Sequence, residues 1–551
     1  MDADVFGLFD EDSSGGGTMR DFGKLTLAML ILLFLREDGS SLVRAESPPR
    51  PNVVFILADD MGMGDTSAYQ DWTGNSDAVQ LATPNMQRLA NRGIRFTDAH
   101  SPHSRCTTTR YALLTGRYCW RTRLKHWVLF GVQGDPLIEM DRPTIASFLK
   151  DAGYQTGMVG KWHLGLSYTK SDGTIADGWD DADLTKPIAD GPLDHGFDAF
   201  LGLSRSHGTS GPDGNKRNTP DQSIGPGWIE GRRITGATGN GKKLDGSYVL
   251  NDIGPKLNAE ASKFIKKAVS EKEPFFLYFA SPANHRPHTP CEEINGVQVA
   301  GASRFVNGEL TGSKRLDFIH ENDVQIGELL KLLEQDDPRR PGHRLIENTL
   351  FIFASDNGAE IPAKTATGPL RSNKGSTYEG GHRIPFIASW PLGKIGDGNS
   401  ETPGRTCERL LALNDLFATF AEILEKPLPN LAEGAKGAED SHSQLAAMQG
   451  KPAKPRAALF SNDHSEASRP LSDRRAWVAV RSNACPIPGE WKLFLDHRYA
   501  FRGELHPQEL YNLAADLKEE RNLIADPSAK PALDFLLKQA EKAAGDGGRS
   551  R

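Results

Sequence analysis

The chain has 551 residues, of which 38% are hydrophobic and 25% are charged, and its formal net charge is −7. These proportions are typical of a globular protein and exclude a disordered chain, and the mildly acidic balance argues against nucleic-acid binding. Five cysteines are too few for a disulfide scaffold in a chain of this length. The length allows about two to four domains, or one large α/β domain with a smaller one.

The most apolar segment of the sequence lies near the N-terminus, at Leu25–Leu35. It is long enough for only about half of a bilayer span, so we expect no transmembrane helix there. Arg20 and Lys24 precede it, and Val43-Arg44-Ala45 follows with small residues at the spacing that a signal peptidase recognises. We therefore expect residues 1–45 to be a signal peptide and the protein to be exported, either periplasmic or secreted.

Four short apolar segments have the composition of buried parallel strands, and polar residues follow each of them closely. The predicted strands are Val53–Leu57, Gln155–Val159, Phe275–Phe279 and Leu350–Phe353. Helices are expected between them, from Thr83-Pro84 to Gly93, at Thr144–Ala152 and at about Ala259–Ser270. This alternation predicts an open α/β sheet whose ligands bind beyond the carboxyl ends of the strands.

The second half of the sequence has a different character. Residues 204–247 are rich in glycine, proline and asparagine without periodicity, which predicts a long surface insertion near the site. Further elements are expected as helices at Leu410–Leu424 and Ala529–Ala543 and as strands at Trp477–Arg481 and Trp491–Asp496. The sequence therefore predicts a large α/β domain at 46–425 and a small C-terminal α+β unit at 426–551.

Side chains with oxygen ligands follow two of the predicted strands. Asp59-Asp60 follows the first strand, and Asp356-Asn357 follows the fourth. Each pair alone is also typical of a turn, but two pairs directly after buried strands indicate a shared site. Three carboxylates and one amide select a hard cation, calcium or magnesium, over zinc.

The segment from Ser104 to Arg117 reads SRCTTTRYALLTGR. It resembles the signature of the type I, formylglycine-dependent sulfatase family, in which Cys-x-Pro/Ala-x-Arg is followed by Thr-Gly. Cys106, Arg110 and Thr115-Gly116 match this signature, and Thr108 stands where proline or alanine is usual.

Further segments are similar to motifs of the same family, in the family's order. They are Pro51–Asp65, Gly160–Gly165, Pro274–Pro287, Phe353–Glu360 and Gly368–Pro385, with Glu509–Ile524 similar to the family's C-terminal domain. The resemblance implies an alkaline phosphatase-like fold, with a central mixed, mostly parallel sheet flanked by helices. It also implies that the large domain is a sulfatase catalytic domain.

In that family the signature cysteine is oxidised to Cα-formylglycine, an aldehyde that hydrates to a geminal diol. The resemblance therefore implies that Cys106 becomes the nucleophile of a sulfuric ester hydrolase of the arylsulfatase type. It also implies a bound calcium ion, or magnesium in its place. The implied ligands of that ion are Asp59, Asp60, Asp356, Asn357 and the modified Cys106.

The resemblance assigns roles to further polar residues. Arg110 holds the diol and the charge of the metal site, and Lys161 and Lys374 bind sulfate oxygens. His163 is the base of the elimination step. His285 is the acid or sulfate-binding partner for the departing alcohol.

One position has a weaker match to the family. Ser206, in GLSRSHG, stands where a residue hydrogen-bonds the diol or the sulfate. His207, His288 and His382 lie near these motifs without an assigned role, and a single histidine in a loop is typically a surface or packing residue.

The implied partners are a sulfated small molecule or glycan as substrate and, transiently, the formylglycine-generating enzyme. We expect no nucleic-acid partner and no stable membrane span. An exported sulfatase suits sulfated polysaccharides, but aryl and lipid sulfates remain open. Cys119, Cys291, Cys407 and Cys485 could pair in an oxidising compartment, although the sequence assigns no pairing.

Two alternatives keep the same fold. One is a hydrolase of phosphate or phosphonate esters; phosphatases of this superfamily generally use serine or threonine and two zinc ions, whereas phosphonate hydrolases also use formylglycine. The other is a non-catalytic, sulfatase-like binding protein in which Cys106 stays unmodified because of Thr108. The state of Cys106 separates the second alternative from an enzyme.

Overall fold

The computed structural model describes residues 50–129, 135–178, 181–204, 206, 228–235, 237–238, 243–244, 249–464, 466, 476–496, 500, 504–545 and 550. The predicted signal peptide, most of the predicted insertion at 204–247 and His207 lie outside these residues. Within these ranges, no helix combines the length and the apolar character that crossing a bilayer requires.

The described strands fall into one large sheet, one four-stranded sheet and three short pairs. In chain order they are β1 (Asn52–Ala58), β2 (Ile94–Phe96), β3 (Ala99–His100), β4 (Gln155–Lys161), β5 (Ala199–Leu203), β6 (Ile229–Glu230), β7 (Arg233–Ile234), β8 (Ala237–Thr238), β9 (Lys243–Leu244), β10 (Phe275–Ala280), β11 (Glu293–Ile294), β12 (Val297–Gln298), β13 (Thr349–Ser355), β14 (Phe386–Ser389), β15 (Arg405–Cys407), β16 (Leu411–Ala412), β17 (Leu459–His464), β18 (Ala476–Ser482), β19 (Trp491–Asp496) and β20 (Pro507–Asn512).

The described helices are mostly short. In chain order they are α1 (Gln70–Thr73), α2 (Pro84–Arg92), α3 (Cys106–Thr115), α4 (Ile145–Lys150), α5 (Ile253–Ser270), α6 (Lys314–Leu333), α7 (Lys364–Thr367), α8 (Glu379–His382), α9 (Leu416–Ile423), α10 (Leu445–Met448) and α11 (Lys530–Gly545).

The large sheet has the order β15-β2-β14-β13-β1-β10-β4-β5-β6-β7. Its five central strands, from β13 to β5, are all parallel, and β14, β6 and β7 add antiparallel pairs on either side. The predicted mixed, mostly parallel sheet is therefore confirmed.

Both faces of this sheet are covered, which is why its central strands read as continuous apolar segments. Along β1, Val53 and Phe55 pack into one hydrophobic core, and Val54 and Ile56 pack into the other. Side chains of α3, α4 and α9 contribute to the first core, and side chains of α2, α5 and α6 contribute to the second. The result is a three-layer arrangement with the sheet in the middle.

The small C-terminal unit is an antiparallel sheet in the order β17-β18-β19-β20. Its core includes Val480, Leu493 and Leu536 of α11, and Tyr118 and Trp120 from the segment after α3 join the same cluster. The predicted α+β character of this part is confirmed, while the boundary at residue 426 stays a prediction.

Three predicted helices have different limits in the structure. The helix predicted at 410–424 begins only at Leu416, because Leu411–Ala412 pairs in parallel with β3 as strand β16. Helix α5 begins earlier than predicted, at Ile253, because Pro255 lies in the first turn, where the amide hydrogen is not needed. Helix α4 ends at Lys150, before Gly153, which has a φ of +82°.

Helix α6 was not predicted at all, although it is the longest described helix. Ser313 caps its N-terminus, and its apolar residues recur at helical spacing, as in Ile319, Ile326 and Leu330. The pattern was obscured because several polar residues of the helix, such as Asn322 and Asp323, are buried as well.

Candidate active site

The carboxyl ends of four neighbouring strands lie at one level of the large sheet. In the register, Ala58 of β1 is opposite Ser355 of β13, and Ala280 of β10 is opposite Gly160 of β4. The residues that follow these positions therefore come together at one edge, as expected for parallel strands.

A compact group of carboxylates forms the centre of this edge. One ligand atom from each of Asp59, Asp60, Asp356 and Cys106 lies within 4.8 Å of every other, and all four residues are buried. Asn357 joins them through its Oδ1, 3.7 Å from Cys106 Sγ, and through its Nδ2, which donates to Asp60 Oδ1 at 2.8 Å. The five residues predicted to bind a metal are thus adjacent in the structure.

The electrostatics and the donor atoms of this group suit the binding of a cation. Burial and the neighbouring charge of Asp59 raise the pKa of Asp356. Converging buried carboxylates repel one another unless positive charge lies between or beside them. The oxygen-rich donor set suits a hard divalent ion.

Each carboxylate also has a cationic side chain beside it. Arg110 donates from Nε and Nη2 to Asp356 Oδ2, at 3.1 and 2.8 Å, and from Nη1 to the carbonyl of Lys161. Lys161 Nζ donates to Asp59 Oδ2 at 2.5 Å. Lys374 Nζ donates to Asp60 Oδ2 at 2.6 Å. The cations thus surround the carboxylates, and each makes its short contact with a different one.

Charge pairing shifts the proton affinity of these groups strongly. Although burial opposes it, the positive charges of Lys374 and Lys161 hold the pKa of Asp60 well below its usual value. The reciprocal effect of Asp60 outweighs burial and raises the pKa of Lys374. Both side chains are therefore charged at neutral pH.

Cys106 is the first residue of α3 and lies at the bottom of the site. It is 1% exposed, and its thiol lies 3.4 Å from Asp59 Oδ1. Burial, Asp356 and Asp59 raise the pKa of this thiol well above its usual value. An unmodified Cys106 would consequently be a protonated thiol and a poor nucleophile.

The two predicted catalytic histidines flank the group from separate loops. His163, two residues after β4, has a φ of +57° and donates from Nε2 to the carbonyl of Leu129 at 3.0 Å. His285, in the loop after β10, is partly exposed and donates from Nδ1 to the carbonyl of Arg286 at 2.7 Å. Burial and Lys374 lower the pKa of His285 to about 3, so its ring is neutral at physiological pH.

Asn284, which was not predicted as a site residue, holds the loop of Asp59 and Asp60. The backbone amide of Asn284 donates to the carbonyl of Asp59 at 2.8 Å, and its Nδ2 donates to the carbonyl of Asp60 at 3.3 Å. Asn322 of α6 donates to the carbonyl of Ala283 at 2.9 Å and supports the same loop. Only the position of Asn284 beside His285 could have indicated this role.

The remaining sequence candidates have other surroundings. Ser206 is buried and follows β5, whose last residue Leu203 is opposite Lys161 in the register. His288 lies 3.1 Å from Glu360 through Nε2. His382 belongs to a separate buried cluster, described below, and all five cysteines are unpaired.

That second cluster joins β3 and α8 to the small C-terminal sheet. His100, Glu379 and His382 have ligand atoms as close together as those of a metal site. Arg481 of β18 contacts His100 and Glu379, and Lys492 of β19 contacts Glu379 at 3.0 Å and His382 at 3.1 Å. Cationic side chains therefore take the position that an ion would need.

Comparison with known proteins agrees with this site. The Sulfatase family model matches residues 51–426. An N-acetylgalactosamine-6-O-sulfatase of Bacteroides thetaiotaomicron is 29% identical over 544 residues, which cover 90% of this chain and 94% of the relative. Human arylsulfatase A is 33% identical over 387 residues, which cover 69% of this chain and 65% of the relative.

A solved structure also resembles most of the chain. It is a sulfatase from work on the metabolism of multiple glycosaminoglycans by Bacteroides thetaiotaomicron, with 26% identity and a TM-score of 0.65. The match covers 90% of this chain and 99% of that structure. Together with the family match, it shows that this chain belongs to the sulfatase family of sulfuric ester hydrolases.

Proposed function

We propose that this protein hydrolyses a sulfate ester of a carbohydrate by means of a formylglycine formed from Cys106, with the help of a divalent cation. The observation that carries the proposal is the placement of Cys106. Its Sγ lies at the start of a helix beside Asp59 and Asn357, inside a ring of carboxylates and cations. A buried, protonated thiol is a poor nucleophile there, whereas a hydroxyl group of a geminal diol at the same position can act as the nucleophile.

The cation is calcium or, in its place, magnesium. Asp59, Asp60, Asp356 and Asn357 would hold it, together with an oxygen at position 106. When bound, such an ion polarises sulfate oxygens and lowers the pKa of a coordinated hydroxyl.

The charge balance of the site suits an anionic substrate. The negative charges of Asp59, Asp60 and Asp356 are offset by those of Lys161, Lys374 and Arg110. A divalent cation then leaves the site with an excess of positive charge. That excess favours a sulfate monoester, which carries one negative charge near the leaving oxygen.

The chain's own side chains divide the remaining work. Lys161 and Lys374 have further N–H groups beyond their carboxylate contacts, and these would bind sulfate oxygens. Arg110, held by Asp356, would orient the hydroxyl groups at position 106. His163 would accept a proton from that position, which requires its Nδ1, because Nε2 is bonded to Leu129.

His285 is proposed as the group that protonates the leaving oxygen. In the free site its ring is neutral, and the nearby Lys374 disfavours its protonation. An anionic sulfate bound beside Lys374 offsets that positive charge and raises the pKa of His285. The substrate would thereby charge its own general acid.

A sulfated carbohydrate is the proposed substrate class because relatives with this activity match most of the chain. The B. thetaiotaomicron relative is an N-acetylgalactosamine-6-O-sulfatase, and a dog N-acetylgalactosamine-6-sulfatase is 32% identical over 73% of this chain. Export and transient binding of a formylglycine-generating enzyme belong to the same proposal. Ser206 is proposed to bind the diol or the sulfate.

The test begins with expression in a host that contains the formylglycine-generating enzyme. Mass spectrometry of the peptide around Cys106 should detect the aldehyde, and the protein should hydrolyse 4-nitrophenyl sulfate and members of a panel of sulfated sugars. A Cys106 that remains entirely a thiol would support the non-catalytic alternative. Faster hydrolysis of phosphonate or phosphate esters than of sulfates would support the other alternative.

A further inference from the structure

Arg105 directly precedes Cys106, and its guanidinium group lies against Asp463, Trp127 and Gly375. Its Nε donates to Asp463 Oδ2 at 2.8 Å, and its Cζ lies 4.0 Å from the centre of the Trp127 ring. Gly375 lies beneath the group, and a β-carbon at that position would collide with Arg105 Nη2. The guanidinium therefore lies beside Gly375, the residue directly after the proposed sulfate-binding Lys374.

The terminal nitrogens of Arg105 have no acceptor among the described residues. Its hydrogen bonding to the described protein is confined to Nε, and its side chain keeps 14% of its surface exposed. Arg110 differs, because all three of its guanidinium nitrogens donate to protein acceptors and it is fully buried. A guanidinium that is held in place through Nε, with terminal N–H₂ groups left to donate, is the arrangement that binds an oxyanion in a bidentate manner.

The neighbours of Arg105 hold it in this position at a conformational cost. Trp127 has a φ of +76°, a left-handed conformation that is unfavourable for an aromatic residue. The edge of its ring packs against His464, with ring centres 5.1 Å apart. Such strain persists only where the surroundings enforce it, and it clusters at functional sites.

The small C-terminal sheet lies on one side of the Arg105 guanidinium group. Asp463 and His464 are the last residues of β17, and the carbonyl of His464 accepts a hydrogen bond from the amide of Thr377 at 2.7 Å. Thr377 lies three residues after Lys374, so the C-terminal strand is anchored to the loop that carries the proposed sulfate-binding lysine.

We infer that Arg105 recognises a second anionic group of the substrate, a sulfate or a carboxylate next to the sulfate ester that is cleaved. The inference rests on the proposed function, because it assumes that the sulfate ester to be cleaved is bound at Cys106. It makes Arg105 a specificity-determining residue and Asp463 a positioning residue. It also narrows the substrate to a sugar with at least two anionic groups.

The test compares ligands that differ only in the second anion. Binding is measured by calorimetry on the Cys106→Ala protein, which makes the result independent of turnover. The probes are a sulfated disaccharide without another charge, the same disaccharide with a uronate carboxylate, and the same disaccharide with a second sulfate. Of the two doubly charged probes, the one that binds more tightly shows whether the second anion is a carboxylate or a sulfate.

Arg105→Gln should weaken binding of the preferred doubly charged probe by about 10- to 100-fold, as expected for the loss of hydrogen bonds between charged groups. The singly charged probe should be affected much less. Arg304→Gln, which removes an exposed arginine elsewhere, should change neither. Equal weakening of all probes by Arg105→Gln, or equal binding of all probes to the parent protein, would overturn the inference.

Asp463→Asn supplies a second test that leaves Arg105 in place. In the active enzyme, with rates normalised to formylglycine content, it should raise KM for the doubly charged substrate several-fold while kcat is largely retained. A merely structural role would lower kcat for every substrate alike and would contradict the positioning role. A protein that binds the probes as expected but hydrolyses no sulfate ester would refute the proposed function and leave the recognition by Arg105 supported.

Discussion

Among the described residues, two fully buried clusters of acidic and basic side chains can be compared, and both contain possible metal ligands. In the candidate metal cluster, Asp59, Asp60 and Asp356 converge, and each of three cations makes its short contact with a different carboxylate. In the bridging cluster of His100, Glu379 and His382, Arg481 and Lys492 lie among the donors.

The position of the cations therefore distinguishes the candidate metal centre from the bridging cluster, which is a structural network. Lys492 contacts Glu379, Glu519 and His382 at once, and Arg481 contacts Asp98 and Glu379 as well as His100. Both clusters contain possible metal ligands, but in the bridging cluster a single cation contacts two or more of the donor residues at short distance. The experiments below test this difference, beginning with the largest expected effect.

Cys106→Ala should lower the turnover of every sulfate ester by at least about a thousandfold, because the proposed nucleophile is lost. The small volume removed should change the free energy of unfolding by only about 1 kcal/mol. Steady-state assays and urea denaturation measure the two effects. Residual turnover above about a tenth of the parent rate would contradict the role of position 106.

Lys492→Met should lower the free energy of unfolding by about 3 to 5 kcal/mol, because it removes the cation beside buried Glu519 and one of the cations beside Glu379. Lys331→Met is the matched control, since the exposed Lys331 pairs with Glu328 and its replacement should change stability by less than about 1 kcal/mol. Urea denaturation measures both. Similar small losses for the two variants would remove the structural role of the bridging cluster.

Calcium at about one hundred times its dissociation constant should stabilise the protein by about 2.7 kcal/mol, and a chelator should reverse this effect. Asp356→Asn should abolish the stabilisation, whereas Glu379→Gln should retain it even if the protein is less stable overall. Thermal denaturation with and without the ion provides the measurement. Loss of the calcium effect in Glu379→Gln would indicate that the ion binds in the bridging cluster and would contradict the proposed metal site.

His285→Ala should reduce kcat for sugar sulfates by about 10- to 100-fold and for activated aryl sulfates by much less, because only a poor leaving group needs a proton. The free-enzyme pKa of about 3 predicts that kcat/KM shows no ionisation of His285 between about pH 5 and 8. Equal losses on both substrate types would contradict the general-acid role.

The bridging cluster should weaken in mild acid. Burial and Arg481 lower the pKa of His100 from its ordinary value of about 6.5 to about 4. Between these two pH values His100 is therefore protonated in the unfolded chain but neutral in the folded one. The contribution of neutral His100 is therefore complete above about pH 6.5 and is lost as the pH falls towards 4. The stability difference between the parent and His100→Gln should shrink by about 1 to 2 kcal/mol between about pH 7 and 5. A difference independent of pH would show that His100 keeps its charge state on unfolding.

Several features could be predicted because their signals are local. The apolar segments of β1, β4, β10 and β13 and the polar residues directly after them lie within a few positions of one another. The register of parallel strands then brings those residues to one edge without further information. Helix α6 and strand β16 were missed because buried polar residues and a short parallel pairing leave no clear periodicity.

By itself, the sequence determined the sheet, the candidate metal ligands and the candidate nucleophile, since each depends on residue type at a strand or helix end. Only the tertiary structure decided which cation meets which carboxylate, and that Asp463 and Lys492 of the C-terminal sheet reach the large domain. The physical reason is that these contacts join residues far apart in the chain. Their energy depends on burial and distance, which no short segment encodes.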